Sequence, residues 1–190
     1  MALDAHVLRA LQSTLKREVK VGHRQLRALA SAGLAVGGAL GMAGTFAPSD
    51  SLRGLAWGID GLSLVMASAL LVIIYVREAQ DLVAAGFLAF AVGQGLVVSG
   101  AAMTLAQSVP SFGAGVGLWA VGLALVSVPR AFPFIVRILG LAAAVLFAIV
   151  AVRIFAGARI VPTSSPLPFF AYPVLVATMI GWIWTLLRAK

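Results

Sequence analysis

Leu82 to Ala106 is a run of twenty-five residues without a formal charge, and it restricts what this chain can fold into more than any other feature. A helix rises about 1.5 Å per residue, so about 20 apolar residues are enough to cross the hydrocarbon layer of a bilayer. The run exceeds that length, with Gln94 as its strongly polar side chain near the middle. Lipid offers the backbone amides no partner, so a segment of this kind must satisfy them internally, as a helix does. Composition extends the conclusion to the whole chain. Hydrophobic residues make up 62% and charged residues 11%, against roughly 25% charged in an average soluble domain. A soluble core of 190 residues cannot absorb that much apolar surface.

Proline and short charged stretches divide the remainder into similar segments. Pro48-Ser49-Asp50, Arg77-Glu78, Pro110-Ser111, Pro129-Arg130 and the stretch from Pro162 to Pro168 read as turns, because proline ends helices and short polar side chains favour turns. The fold expected is all-α: a six-helix transmembrane bundle with spans at about 28–47, 52–76, 82–106, 111–128, 134–156 and 168–187. An amphipathic basic segment, 1–27, precedes it. Leu3, Val7, Leu8, Leu11, Leu15 and Val19 share one side of a helical wheel there, with Glu18 intruding on that arc, while Arg9, Lys16, Lys20, Arg24 and Arg27 gather on the other. The cations suit anionic lipid headgroups, and docking on the protein's own loops or on a partner is the competing use.

Orientation follows from the distribution of cations. With the amino terminus inside, eleven Lys and Arg residues lie on the cytoplasmic side and three, Arg53, Arg153 and Arg159, lie on the other. Both termini are therefore expected in the cytoplasm. The net charge of +8 is explained by this asymmetry, and no interleaved basic and aromatic motif points to nucleic acid.

Two glycine series predict where helices meet closely. Gly33, Gly37 and Gly41 recur every four residues in the first span, and Gly86, Gly93 and Gly100 every seven in the third. The segments Ala35-Val36-Gly37 and Ala91-Val92-Gly93 also match at a constant offset, as do the downstream tryptophans Trp57 and Trp119 with small gaps. A parallel duplication of a two-helix hairpin would produce this pattern.

Little in the spans carries chemistry. There is no cysteine, and both histidines, His6 and His23, precede the first span. Thiol chemistry, a histidine-held haem or metal, and a histidine-activated serine are excluded together. No metal, no cofactor and no catalysis are expected. Asp60 stands out, since an unpaired carboxyl within a span costs roughly 2.5–3.5 kcal/mol on insertion scales. Arg153 is expected near the same interface as its partner, with Arg53 as a nearer alternative on the same helix. Gln94 is the second buried polar candidate, and interhelical hydrogen bonding is its structural use. Pro173 is expected to make the sixth span start irregularly or kink.

The closing stretch Ser164-Ser165-Pro166-Leu167-Pro168-Phe169-Phe170-Ala171-Tyr172-Pro173, followed by Gly181-Trp182-Ile183-Trp184, resembles the carboxyl end of small bacterial multi-span proteins of unknown function. That resemblance implies a bacterial inner membrane and no particular activity.

Two functions of different kinds fit these residues. The seams and the scarcity of buried polar groups suggest a non-catalytic structural or accessory subunit, working as a homo-oligomer or beside a membrane partner. Asp60, Gln94 and the irregular sixth span suggest instead a transporter or channel for a small solute or ion. The topology is directly testable because the chain lacks cysteine. A cysteine engineered at position 1 or 190 is expected to react with a membrane-impermeant reagent only after cells are permeabilised, and labelling in intact cells would reverse the orientation.

Overall fold

A computed structural model of the chain describes the backbone of residues 5–188 and the side chains of residues 23–188. Among the described residues there are six helices and no strand: α1 (Ala5–Thr45), α2 (Asp50–Arg77), α3 (Asp81–Ser99), α4 (Val109–Ser127), α5 (Phe134–Phe155) and α6 (Ala171–Arg188). Each contains a segment long and apolar enough to cross a membrane, the first being His23–Thr45. These segments bury between 28% and 50% of their residues against one another, so at least half of the residues in each keep some exposure. Only a lipid solvent suits that exterior. The chain forms an all-helical, multi-pass membrane bundle. The lipid-facing use expected of segment 1–27 lies largely outside the described residues.

Local chemistry sets the helix boundaries. Ser49 caps α2, its hydroxyl accepting from the Leu52 amide at 3.3 Å. The α2–α3 turn passes through Ala79 with φ of 54°, and the Gln80 amide returns to the Tyr75 carbonyl at 2.9 Å. Beside this turn Arg27 of α1 pairs with Glu78 at 2.7 Å. At the end of α4, Arg137 donates to the Ser127 and Val128 carbonyls at 2.8 and 2.7 Å, occupying acceptors that the helix itself leaves open.

One expectation needs correction. The stretch 82–106 is not one helix. It stops at Ser99, whose hydroxyl bonds back to the Leu96 carbonyl at 2.7 Å, and residues 100–108 turn across the end of the bundle. Thr104 and Gln107 hold that turn through a side-chain bond of 2.9 Å, offering the backbone an alternative to helix that hydropathy does not register. The remaining helix, about 28 Å long, still matches the hydrocarbon thickness. The sixth span starts at Ala171 rather than about Pro168, the irregular start that is one of its two expected forms, and its helix runs unbroken through Pro173. Pro173 is the third residue of α6, in the first turn, where its missing N–H has no helical partner to lose. The irregularity lies before the helix, in residues 157–170.

Each helix contacts its neighbours in the chain, and α6 also contacts α1, so the six close into a ring. The closest seam is between α3 and α4. A Cβ on Gly86 would lie 2.8 Å from the Gly122 carbonyl oxygen, and one on Gly93 would lie 2.7 Å from that of Gly115. Gly122 and Gly115 face back in the same way, at 2.6 and 2.7 Å. The two backbones therefore touch, through paired glycines two turns apart. Gly100 belongs to the turn rather than to the helical stripe, and sits against Ser108 and Ser111.

The interior of the ring is filled unevenly. At the end holding the α2–α3 and α4–α5 turns, Tyr75, Phe87, Phe132 and Trp182 form an aromatic cluster, with Phe87 and Trp182 centroids 5.0 Å apart and Tyr75 stacked on Phe87 at 5.6 Å. Phe90 continues the cluster to Trp119 at 5.6 Å.

The seam makes a sharp prediction. Gly93→Leu has no room between α3 and α4 and is expected to cost about 1–3 kcal/mol, seen as a lower thermal midpoint in detergent. Gly95→Leu, where a Cβ meets nothing within 4 Å, is expected to leave the midpoint unchanged.

Candidate functional site

The half of the ring opposite the aromatic cluster encloses a cavity of about 490 Å³. It is lined by five of the six helices and by the 100–105 turn, and its outer rim includes the exposed residues Asp50, Met103 and Thr104. The cavity is thus reached from the end bearing connections 46–49, 100–108 and 156–170, the side expected to face away from the cytoplasm. Its floor is set by Asp60 of α2, Gln94 of α3 and Trp119 of α4. Phe90 and Phe87 lie about one and two turns beyond Gln94 along α3, so the aromatic cluster closes the far side.

Asp60 owes its position to the first glycine series. Gly33 receives Ala67, Gly37 receives Leu64, and Gly44 receives the Trp57 ring. Between them, a Cβ on Gly41 would stand 3.2 Å from Asp60 Oδ2, and one on Gly37 would stand 3.3 Å from Oδ1. The stripe expected to serve helix packing does so, and it also makes room for the carboxyl. Trp57 is fixed by donating from Nε1 to the Gly41 carbonyl at 3.3 Å. In the other hairpin Trp119 also packs over a glycine, Gly93. Gly93 matches Gly37 in the offset alignment, whereas Trp57 covers Gly44, so the hairpins share a device two turns out of register.

The structure brings Asp60 and Gln94 together. Gln94 Nε2 donates to Asp60 Oδ2 at 3.5 Å, the outer limit for such a bond. Gln94 is 1% exposed, and its Oε1 has no protein partner. The same holds for Asp60 Oδ1, Trp119 Nε1 and Arg53 Nε, and all four atoms belong to residues lining the cavity. The remaining unpartnered buried atoms among the described residues are the hydroxyls of Ser31, Ser68 and Ser127. Buried polar groups ordinarily find hydrogen bonds, and four of these seven atoms without a protein partner belong to residues of this one cavity.

Arg153 is not part of this site. It is exposed on α5, which contacts only α4 and α6 and contributes nothing to the cavity wall. Equal depth in the membrane suggested the pairing with Asp60; the order of helices around the ring prevents it. Arg53 does line the cavity, yet its guanidinium pairs with Asp50 and donates to the Ala47 carbonyl at 3.4 Å, with the Trp57 ring 6.0 Å away. Asp60 therefore has no ion-pair partner among the described residues.

Several lining residues were not anticipated as a site. Met103 and Thr104 fall within the apolar run of the third span, Phe112 reads as an apolar span position, and Trp119 and Tyr172 are marked in the sequence only by the hairpin repeat and the carboxyl-terminal stretch. Tyr172 is oriented by donating to the Pro162 carbonyl at 3.0 Å, which ties the proline-rich connection to the cavity. The Thr104-x-x-Gln107 pair, polar and spaced for a turn, was the available sign that the third span ends early. Comparison with protein-family models, with curated proteins and with solved structures finds no match.

The access route can be tested on single-cysteine variants. Met42→Cys and Val176→Cys line the cavity and are expected to be labelled by an impermeant reagent from the non-cytoplasmic side. Leu71→Cys, at a position fully buried on α2, is expected to stay unlabelled.

Proposed function

We propose that this membrane protein is a transporter, non-catalytic, that receives a small solute or ion from the non-cytoplasmic side and holds it on Asp60 and Gln94. The observation supporting this is the cavity itself, with an unpaired carboxyl and an unsatisfied buried amide at its floor. An uncompensated polar pair inside a membrane is costly and serves best where a ligand completes it. One-sided access above a closed aromatic cluster is the arrangement that alternating access requires, and it favours a transporter over an open channel.

The accessory-subunit reading drew on the glycine seams. Those seams are occupied within the chain, Gly33, Gly37 and Gly41 by α2 and Gly86 and Gly93 by α4, so no second copy or membrane partner is needed to explain them. A bacterial inner membrane, with both termini in the cytoplasm, is supported by the cation asymmetry and by the resemblance of the carboxyl-terminal stretch.

The test is flux into proteoliposomes from a panel of small amines, amino acids, sugars and monovalent cations. Solute-dependent flux is expected for the native chain. Asp60→Asn is expected to lower it by about tenfold or more, the scale of losing a charge-assisted hydrogen bond, while remaining monodisperse in detergent. Unchanged flux in the variant would remove Asp60 from the mechanism. Absence of flux from the whole panel, with a second membrane protein co-purifying in fixed ratio, would turn the reading to an accessory subunit.

A further inference from the structure

The chemistry of the cavity wall narrows the solute. At the floor, Asp60 is partly exposed, while its Oδ1, Gln94 Oε1 and Trp119 Nε1 have no protein partner and are covered, so a ligand's contact begins at the Asp60 carboxyl. The ionisable group there is a carboxyl, so any charge it carries is negative. Asp50 and Arg53 at the rim pair with each other and so leave the cavity's charge set by Asp60. Around this small polar patch the wall is mainly apolar and polarisable, with Trp57, Phe112, Trp119 and Tyr172 supplying rings and Met42 and Met179 thioethers, and with Thr45, Thr104 and Ser108 as its further polar side chains.

Each feature excludes a class of ligand. A phosphate or carboxylate would face Asp60 without a free cation at the floor. Ca²⁺ and Mg²⁺ take six or more oxygen ligands, which the acceptors at this floor do not provide, and Zn²⁺ takes four ligands, chiefly Cys and His, neither of which lines the cavity. A sugar would leave most of its hydroxyls against rings and methyl groups, unpaired. What remains is an ion whose charge is compact and whose body is apolar. Aromatic rings attract such cations through their faces, thioethers adapt to varied shapes, and 490 Å³ lies in the range of pockets that hold small organic molecules, not bare ions.

We infer that the cavity takes a monovalent organic cation, an amine with an aromatic or branched aliphatic body, its ammonium group on Asp60 and Gln94 and its body against the rings and methionines. This rests on reading the cavity as the solute site, and adds the class of solute.

The experiment measures equilibrium binding to the purified full chain in detergent, followed by tryptophan fluorescence and checked by calorimetry. The probes are 2-phenylethylammonium and its uncharged counterpart 2-phenylethanol, with sodium ion and glucose as further probes. The native chain is expected to bind the ammonium saturably and about tenfold or more tightly than the alcohol, one charge-assisted contact being worth that ratio. Asp60→Asn is expected to remove the difference, leaving the alcohol's affinity unchanged. Asp81→Asn, at the opposite end of α3 and outside the cavity, is expected to bind as the native chain does. Equal affinity of the native chain for ammonium and alcohol overturns the inference whether or not Asp60→Asn folds. A folded Asp60→Asn that keeps the preference overturns it as well. If sodium or glucose binds in an Asp60-dependent manner and the ammonium does not, the cavity remains a solute site and the organic-cation class is wrong. If none of the four probes binds, both the class and the solute-site reading fall.

Discussion

Helices in lipid gain little from hiding apolar side chains from one another, because the lipid tails are equally apolar. Their association must come from close backbone approach and from the contacts it allows. The glycines of α1, α3 and α4 meet that constraint, and most of the structure follows from where they do so. Along α3 and α4 they bring carbonyl oxygens against the facing α-carbons, a geometry that weak Cα–H···O contacts accompany. Along α1 they form a groove into which α2 sets Ala67, Leu64, Asp60 and Trp57 in turn.

The α1 groove links packing to the site. A larger residue at Gly41 would fill the space that the Asp60 carboxyl occupies, so the stripe that joins the two helices also decides that a carboxyl can sit between them. The carboxyl in turn meets Gln94 of the neighbouring helix α3. One element of sequence therefore serves helix association and site construction together. The tryptophans act similarly: Trp57 braces α2 on α1 through the Gly41 carbonyl, and Trp119 packs on Gly93 at the cavity wall.

Closing the ring without filling it creates the division of the interior. Toward the expected cytoplasmic end the rings of Tyr75, Phe87, Phe132 and Trp182 meet and seal the bundle. Toward the other end the helices are separated by a turn in place of a final stretch of α3, and by the tethered connection before α6. The early stop at Ser99 thus shapes the cavity rim. Hydropathy could not reveal it, because Ala101, Ala102, Met103 and Leu105 are apolar, as most of the span is. Only local hydrogen bonding through Ser99, Thr104 and Gln107 distinguishes them.

The sequence alone determined the solvent, the number of spans and most of their limits, because uninterrupted apolar length and proline-bounded turns act locally and leave one structural answer in lipid. It also determined that Asp60 and Gln94 would be costly within the membrane, and that the glycine stripes would be contact surfaces. Which helices stand side by side was decided only in three dimensions. Depth along the membrane is readable from residue counts, and by depth Arg153 is the partner expected for Asp60, with Gln94 nearer the middle of its span. The angle around a ring is not readable in that way: it depends on how all six helices pack at once, and that packing put α3 beside α2, left Arg153 on the outer face of α5, and enclosed the space between.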